Sequence, residues 1–234
     1  MGPVCMSSRV RASRQAKRAR GFSLIELMVV IIIIGVVAAL AAPTMAASRI
    51  DRNAYDDAGS IMQLLRAART RAVARGGAVL VSMTFAGPTD RGTFSMFEAV
   101  QPNATGTGSA RTPVSSCKAP TSWVPLGPAN AGVVQLDGLN LNGALEQDFD
   151  IETELRVYNT DGSVSEAVSG GFLCFTPLGR SYFVSGGAPT FDGALPSLTP
   201  IEFRVTRMNA GVPVGTIRSV LLPPNGAARV FSHT

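Results

Sequence analysis

Between Arg18 and Pro43 lies an uninterrupted apolar run, Phe22 to Ala42, whose one charged side chain is Glu26. As a helix rising about 1.5 Å per residue, the run is roughly 31 Å long, which matches the hydrocarbon core of a bilayer. An ordinary secretory signal has a shorter apolar region, about 7 to 15 residues, followed by a small-x-small cleavage site. Ala39-Leu40-Ala41 would supply such a site, but the length of the run and the presence of Glu26 favour a retained span. A carboxylate inside a span costs on the order of 3 kcal/mol on insertion scales, so it is normally kept for a partner. Cutting the chain between Gly21 and Phe22 would create an α-amino group four residues before Glu26, on the same helical face. That amine can neutralise Glu26 within one subunit or meet the carboxylate of a neighbouring one. In the plainer alternative, Glu26 reaches headgroup water at the interface.

The charge distribution sets the orientation. The formal charge is +5, but Arg9, Arg11, Arg14, Lys17, Arg18 and Arg20 all precede the span, with no acid among them. Without these six, 15 basic and 16 acidic residues remain, so the apparent affinity for anions belongs to the leader. Residues 1–20 are too poor in large apolar side chains to bury a core. Basic residues just before a span stay cytoplasmic, which sends the remainder outward. In that compartment Cys117 and Cys174 are an even pair that can form a disulfide, the alternative being two unrelated buried thiols.

Beyond Thr44 the pattern becomes two-sided. Ala54, Ala58, Ile61, Leu65, Ala68 and Ala72 recur at alternating spacings of four and three, one face of a helix. Asp51, Asp56 and Asp57 come early in this segment and Arg66, Arg69, Arg71 and Arg75 late, an order that suits a helix dipole and a solvated face. Gly76-Gly77 supplies the stop. Strands are expected at 78–86, 93–100, 133–139, 151–158, 163–168, 171–175, 181–184, 201–207, 216–222 and 228–231, with turn chemistry at Asn159-Thr160-Asp161-Gly162 and Pro224-Asn225-Gly226. Residues 101–132 read as a long loop anchored by Cys117 and Trp123. The expected fold is therefore α+β, with a long N-terminal helix packed on an antiparallel β domain. Its parts are a leader at 1–21, a helix at 22–77 (membrane-spanning over 22–42, amphipathic over 44–75) and a β domain at 78–234.

No catalytic constellation can be assembled. His233 is the sole histidine, which leaves no Ser-His-Asp or Cys-His arrangement, and phosphate loops and zinc spacings are absent from the sequence. Glu146, Asp148, Asp150, Glu152 and Glu154 alternate, so on a strand they would share one face. Calcium binding at this acidic run is conceivable, but a solvated face is favoured because calcium ligands must converge on a point. The expectation is a protein without enzymatic activity, cofactor or small-molecule substrate.

Gly21-Phe22-Ser23-Leu24-Ile25-Glu26 followed by an apolar helix resembles the leader junction of type IV pilins and type II secretion pseudopilins. The resemblance implies that a prepilin peptidase cuts after Gly21 and methylates Phe22. It also implies that Glu26, fifth from the cut, guides assembly with other pilin subunits, and that Pro43 kinks the helix. Leu64 to Val73, Phe175-Thr176-Pro177-Leu178-Gly179-Arg180 and Asn225 to Val230 are similar to GspH/FimT-type minor pseudopilins. The implied location is the bacterial inner membrane, single-pass, with a cytoplasmic N-terminus and a periplasmic β domain that becomes extracellular in an assembled filament. FimT-like members that capture DNA use a basic Gly-Arg-x-Arg motif. Gly226-Ala227-Ala228-Arg229 keeps only Arg229 of it, and the acidic balance beyond the leader opposes nucleic-acid binding.

Overall fold

The computed structural model describes residues 22–85, 87, 90–101, 112–118, 123, 126, 132–142, 151–159, 161–191, 200–224 and 227–233. The leader with Gly21, the acids Glu146, Asp148 and Asp150, and the Asn225-Gly226 turn lie outside them. The chain divides into two units, Met1–Met45 and Ala46–Thr234.

Helix α1 covers Leu24–Arg75, and the helical assignment runs through Pro43. Because α1 starts at Leu24, Asp51, Asp56 and Asp57 are mid-helix residues and cannot owe their place to the N-terminal end of its dipole. Gly76 ends the helix with φ +66°, the left-handed conformation that glycine adopts without steric cost.

The β domain, within the second unit, has two antiparallel sheets. The first contains β1 (Val79–Thr84), β2 (Thr93–Gln101), β3 (Thr112–Pro113), β4 (Val133–Asn140), β7 (Gly170–Phe175) and β8 (Ser181–Ser185). Its order is β3-β2-β1-β7-β8, with β4 also on β2. The second contains β5 (Ile151–Tyr158), β6 (Val164–Val168), β9 (Ile201–Asn209), β10 (Val212–Pro213), β11 (Ile217–Leu222) and β12 (Arg229–His233), in the order β12-β11-β9-β5-β6 with β10 on β9. The ten expected strands are present with ends shifted by a few residues, and the two-residue strands β3 and β10 are additional. β1 and β2 pair as the expected hairpin. In the β5 to β6 turn, the Asn159 N–H donates to the Ser163 carbonyl at 2.8 Å and Ser163 N–H to Asp161 Oδ1 at 2.8 Å.

Alternation along the central strands makes two cores. Val79, Val81 and Met83 of β1 and Leu173 and Phe175 of β7 point one way, where they meet Ile151, Leu155, Phe203, Val205 and Val220 of the second sheet. The six helix positions picked out by periodicity, Ala54 to Ala72, are buried in this same core. Burying each of Ile61 and Leu65 contributes about 1.5–3 kcal/mol. The other face of the first sheet carries Leu80, Phe97, Phe172 and Cys174 into a smaller core with Cys117, Trp123 and Phe191. Here a disulfide joins Cys117 to Cys174, with the Cα atoms 6.1 Å apart. The Trp123 indole donates to the Cys117 carbonyl at 3.2 Å, so the long loop is anchored by the two residues expected to hold it.

Candidate functional site

The stretch singled out by the sequence is a helix whose side chains are unburied. Leu24–Ala41 has a mean hydropathy of 3.0 and none of it is buried, and by length and composition it can cross a membrane. Among the described residues no other helical stretch qualifies. Phe22 and Ser23 precede the helix, and the Ser23 carbonyl accepts the Leu27 N–H at 3.2 Å. Ser23 therefore occupies the N-cap position, and Glu26 stands three residues later in the first turn.

Ser-x-x-Glu is the spacing of a capping box, in which the two side chains satisfy donors that the first helical turn leaves without partners. The sequence reading paired Glu26 with the Phe22 amine of its own or a neighbouring subunit, or with headgroup water, and the tetrad Ser23-Leu24-Ile25-Glu26 adds the capping spacing to these. The two roles separate chemically. Glutamine also suits the capping position, whereas pairing with an amine needs the negative charge.

The charged face of the lower helix is engaged as well. Arg91 Nη2 and Nε contact the two carboxylate oxygens of Asp57 at 2.7 and 2.8 Å, tying α1 to the start of β2. Arg71 and Arg75 converge on Glu98 of β2 at 3.1 and 3.3 Å, and Glu98 is 2% exposed. Arg66 donates to the Ala228 carbonyl at 2.8 Å. Arg218 of β11 reaches Asp51 at 3.4 Å and lies over the Tyr55 ring. The arginines expected on a solvated face are thus largely fasteners between helix and sheet. Nothing in the spacing of Glu98 or Arg91 announced this, although an acid inside the apolar strand Phe97-Glu98-Ala99-Val100 is a signal of a buried partner.

Arg229 is exposed on the edge strand β12, opposite Leu221. His233 stands in the same strand opposite Ile217. Glu152 and Glu154 lie on β5, where Arg156 holds Glu154 at 2.7 Å. Among the described residues no three His, Cys, Asp or Glu side chains are grouped to hold a metal ion.

On the outward face of the second sheet, Tyr158 donates a hydrogen bond to Glu202. Burial opposes the charge on Glu202, but the neighbouring Ser219 and Tyr158 hydroxyls and the guanidiniums of Arg156 and Arg204 outweigh it and hold the carboxyl below its usual range. Burial and the same hydrogen bond push Tyr158 up.

No curated protein and no solved structure matches the chain. A family match covers the end of the leader and the apolar helix: residues 16–42 carry the prokaryotic N-terminal methylation motif.

Proposed function

We propose that the chain is a structural subunit of a type IV filament machine, a minor pseudopilin or pilin of the GspH/FimT type. The observation that carries this reading is the coincidence of the methylation motif over 16–42 with a helix whose apolar side chains are all unburied. A prepilin peptidase cuts between Gly21 and Phe22 and methylates the Phe22 amine. The subunit waits in the inner membrane on a single span, with its β domain in the periplasm, and then enters a bundle of such helices. In the bilayer and in the bundle alike, the apolar surface of residues 24–41 meets an apolar surround. Glu26 fixes the axial register by pairing with a neighbour's N-terminal amine, and Pro43 lets the helix bend below the span. No catalysis is involved.

The capping spacing dictates the experiment. Glu26→Gln preserves the helix start and removes the charge, whereas Glu26→Ala removes both. The reading expects processed, N-methylated Phe22 by mass spectrometry of the mature protein, and loss of filament incorporation in both variants. A mature N-terminus near Ala42, or full incorporation of the glutamine variant, would overturn it. The DNA-capture alternative gains no support from the arrangement. Arg229 has no basic residue directly opposite it, and the nearby Arg218 is engaged with Asp51 and Ser232.

A further inference from the structure

Where α1 ends, a cleft of about 420 Å³ opens between Gly76, the segment Ser115 to Lys118, and the turn Thr176 to Arg180, with Tyr182 on its wall. Two of the lining residues, Lys118 and Arg180, are cationic, and none is acidic. Among the described residues neither cation is paired with a carboxylate. Lys118 is also the sole lysine beyond the leader, and its Nζ lies over the Tyr182 ring at 5.8 Å.

The lip of the cleft is a rigid turn that holds an apolar side chain in water. Leu178 is 85% exposed, the most exposed of the large apolar residues in the described part of the chain. Its turn is closed by Thr176 N–H to the Arg180 carbonyl and by Gly179 N–H to the Thr176 carbonyl, both 2.9 Å. Pro177 restricts the backbone on one side of Leu178. On the other, Gly179 has φ +75°, a conformation that glycine adopts without strain, and a Cβ there would stand 3.1 Å from Arg69 Nη2. The facing wall is equally fixed: Cys117 is bonded to Cys174 of β7, and Lys118 N–H donates to Ser116 Oγ at 3.1 Å. Preorganised walls lower the ordering cost of binding.

We propose that this cleft docks an extended segment of a partner protein that presents carboxylates beside a large apolar side chain. The carboxylates pair with Lys118 and Arg180, and the apolar group covers Leu178 and the Tyr182 edge. Charge complementarity selects an acidic occupant, and the exposed leucine selects a peptide over a nucleic acid. A single strand would need a track of cations along its phosphates and an open ring for its bases, and Lys118 already covers the ring. The proposal goes beyond the filament reading and does not depend on leader processing.

The test uses the full chain in nanodiscs and fluorescence anisotropy of a labelled twelve-residue peptide of three Ser-Asp-Leu-Glu units. The comparators are its Ser-Asn-Leu-Gln analogue and a single-stranded oligonucleotide of equal length. The acidic peptide should bind, weaken with added salt, and lose about tenfold in affinity in K118E/R180E and in L178S. All three positions are surface residues, and unchanged Trp123 fluorescence would show that each variant is folded. Absence of acidic-peptide binding, equal binding of the amide analogue, preference for the oligonucleotide, or wild-type affinity in folded K118E/R180E would each overturn the proposal.

Discussion

The two segments of α1 treat apolar side chains in opposite ways. In the first, large residues stand open: Leu24 is 79% exposed, Ile32 61% and Val37 60%. In the second, Ala54, Ala58, Ala68 and Ala72 are wholly buried although each carries a single methyl group. Hydrophobicity alone does not account for the difference, because alanine is the weaker hydrophobe. Small side chains let a helix backbone approach a sheet closely, whereas large ones with no neighbour in the fold need an apolar surround supplied from outside. The lower segment is built for its own domain. The upper segment leaves its large apolar side chains unburied and by length and composition can cross a membrane.

The sharpest way to break this contrast is to remove a fastener of the buried segment. Asp57→Ala removes the bidentate partner of Arg91, whose side chain is largely buried, and should cost about 3–5 kcal/mol in denaturant unfolding of the full chain in detergent. The sole tryptophan, Trp123, buried in the small core, reports the transition. A loss below about 1 kcal/mol would mean that the pair is not the tether it is taken to be.

In the open segment the response should be inverted. Ile32→Asp places a second carboxylate in the span, at an insertion cost of about 2.5–3.5 kcal/mol, while the unfolding transition of the β domain stays within roughly 0.5 kcal/mol of wild type. Membrane flotation and the Trp123 transition, measured on the same variant, separate the two effects. If both moved together, the two segments would not be energetically distinct. A subtler probe is Ala58→Leu, which forces extra volume into a filled site and should cost about 1–3 kcal/mol. Adding a methylene to the exposed Val37 by Val37→Ile should leave the same transition unmoved.

How much of this contrast was legible in the sequence follows from what is local and what is not. The alanine stripe, the strands and the apolar run are periodic, and periodicity is written in neighbouring residues. The fasteners are not local: Asp57 meets Arg91, Arg71 and Arg75 meet Glu98, and Asp51 meets Arg218, across 167 positions in the last case. From sequence these charges looked like a dipole-ordered solvated face, because the order of charges along a helix says nothing about what later packs against it. Strand order escaped for the same reason, since β1 pairs with β7 and β9 sits between β5 and β11. At the candidate site the methylation motif over residues 16–42 was readable by spacing. The Ser23-to-Glu26 capping spacing lies in adjacent residues, whereas the Leu178 cleft required the disulfide and the turn to be brought together in space.

The smallest expected effect sharpens the contrast through pH, because it should arise in the β domain. Glu202 has its carboxyl held below the ordinary range in the folded state, so the unfolded chain binds its proton more readily. Its contribution to stability is therefore complete above the unfolded carboxyl pKa of about 4.3 and is lost as pH falls through that value and then through the lower folded one. Tyr158 carries the opposite sign: its folded pKa is raised, so its contribution is present below about pH 10 and lost as pH climbs through the folded value. Between these limits the pair should add no slope. Urea midpoints of the full chain, followed by Trp123 fluorescence, should fall on the acid side less steeply in Glu202→Gln than in wild type, and on the alkaline side less steeply in Tyr158→Phe. Parallel acid limbs for wild type and Glu202→Gln would show that the Glu202 carboxyl binds its proton equally in the folded and unfolded chain and overturn the coupling.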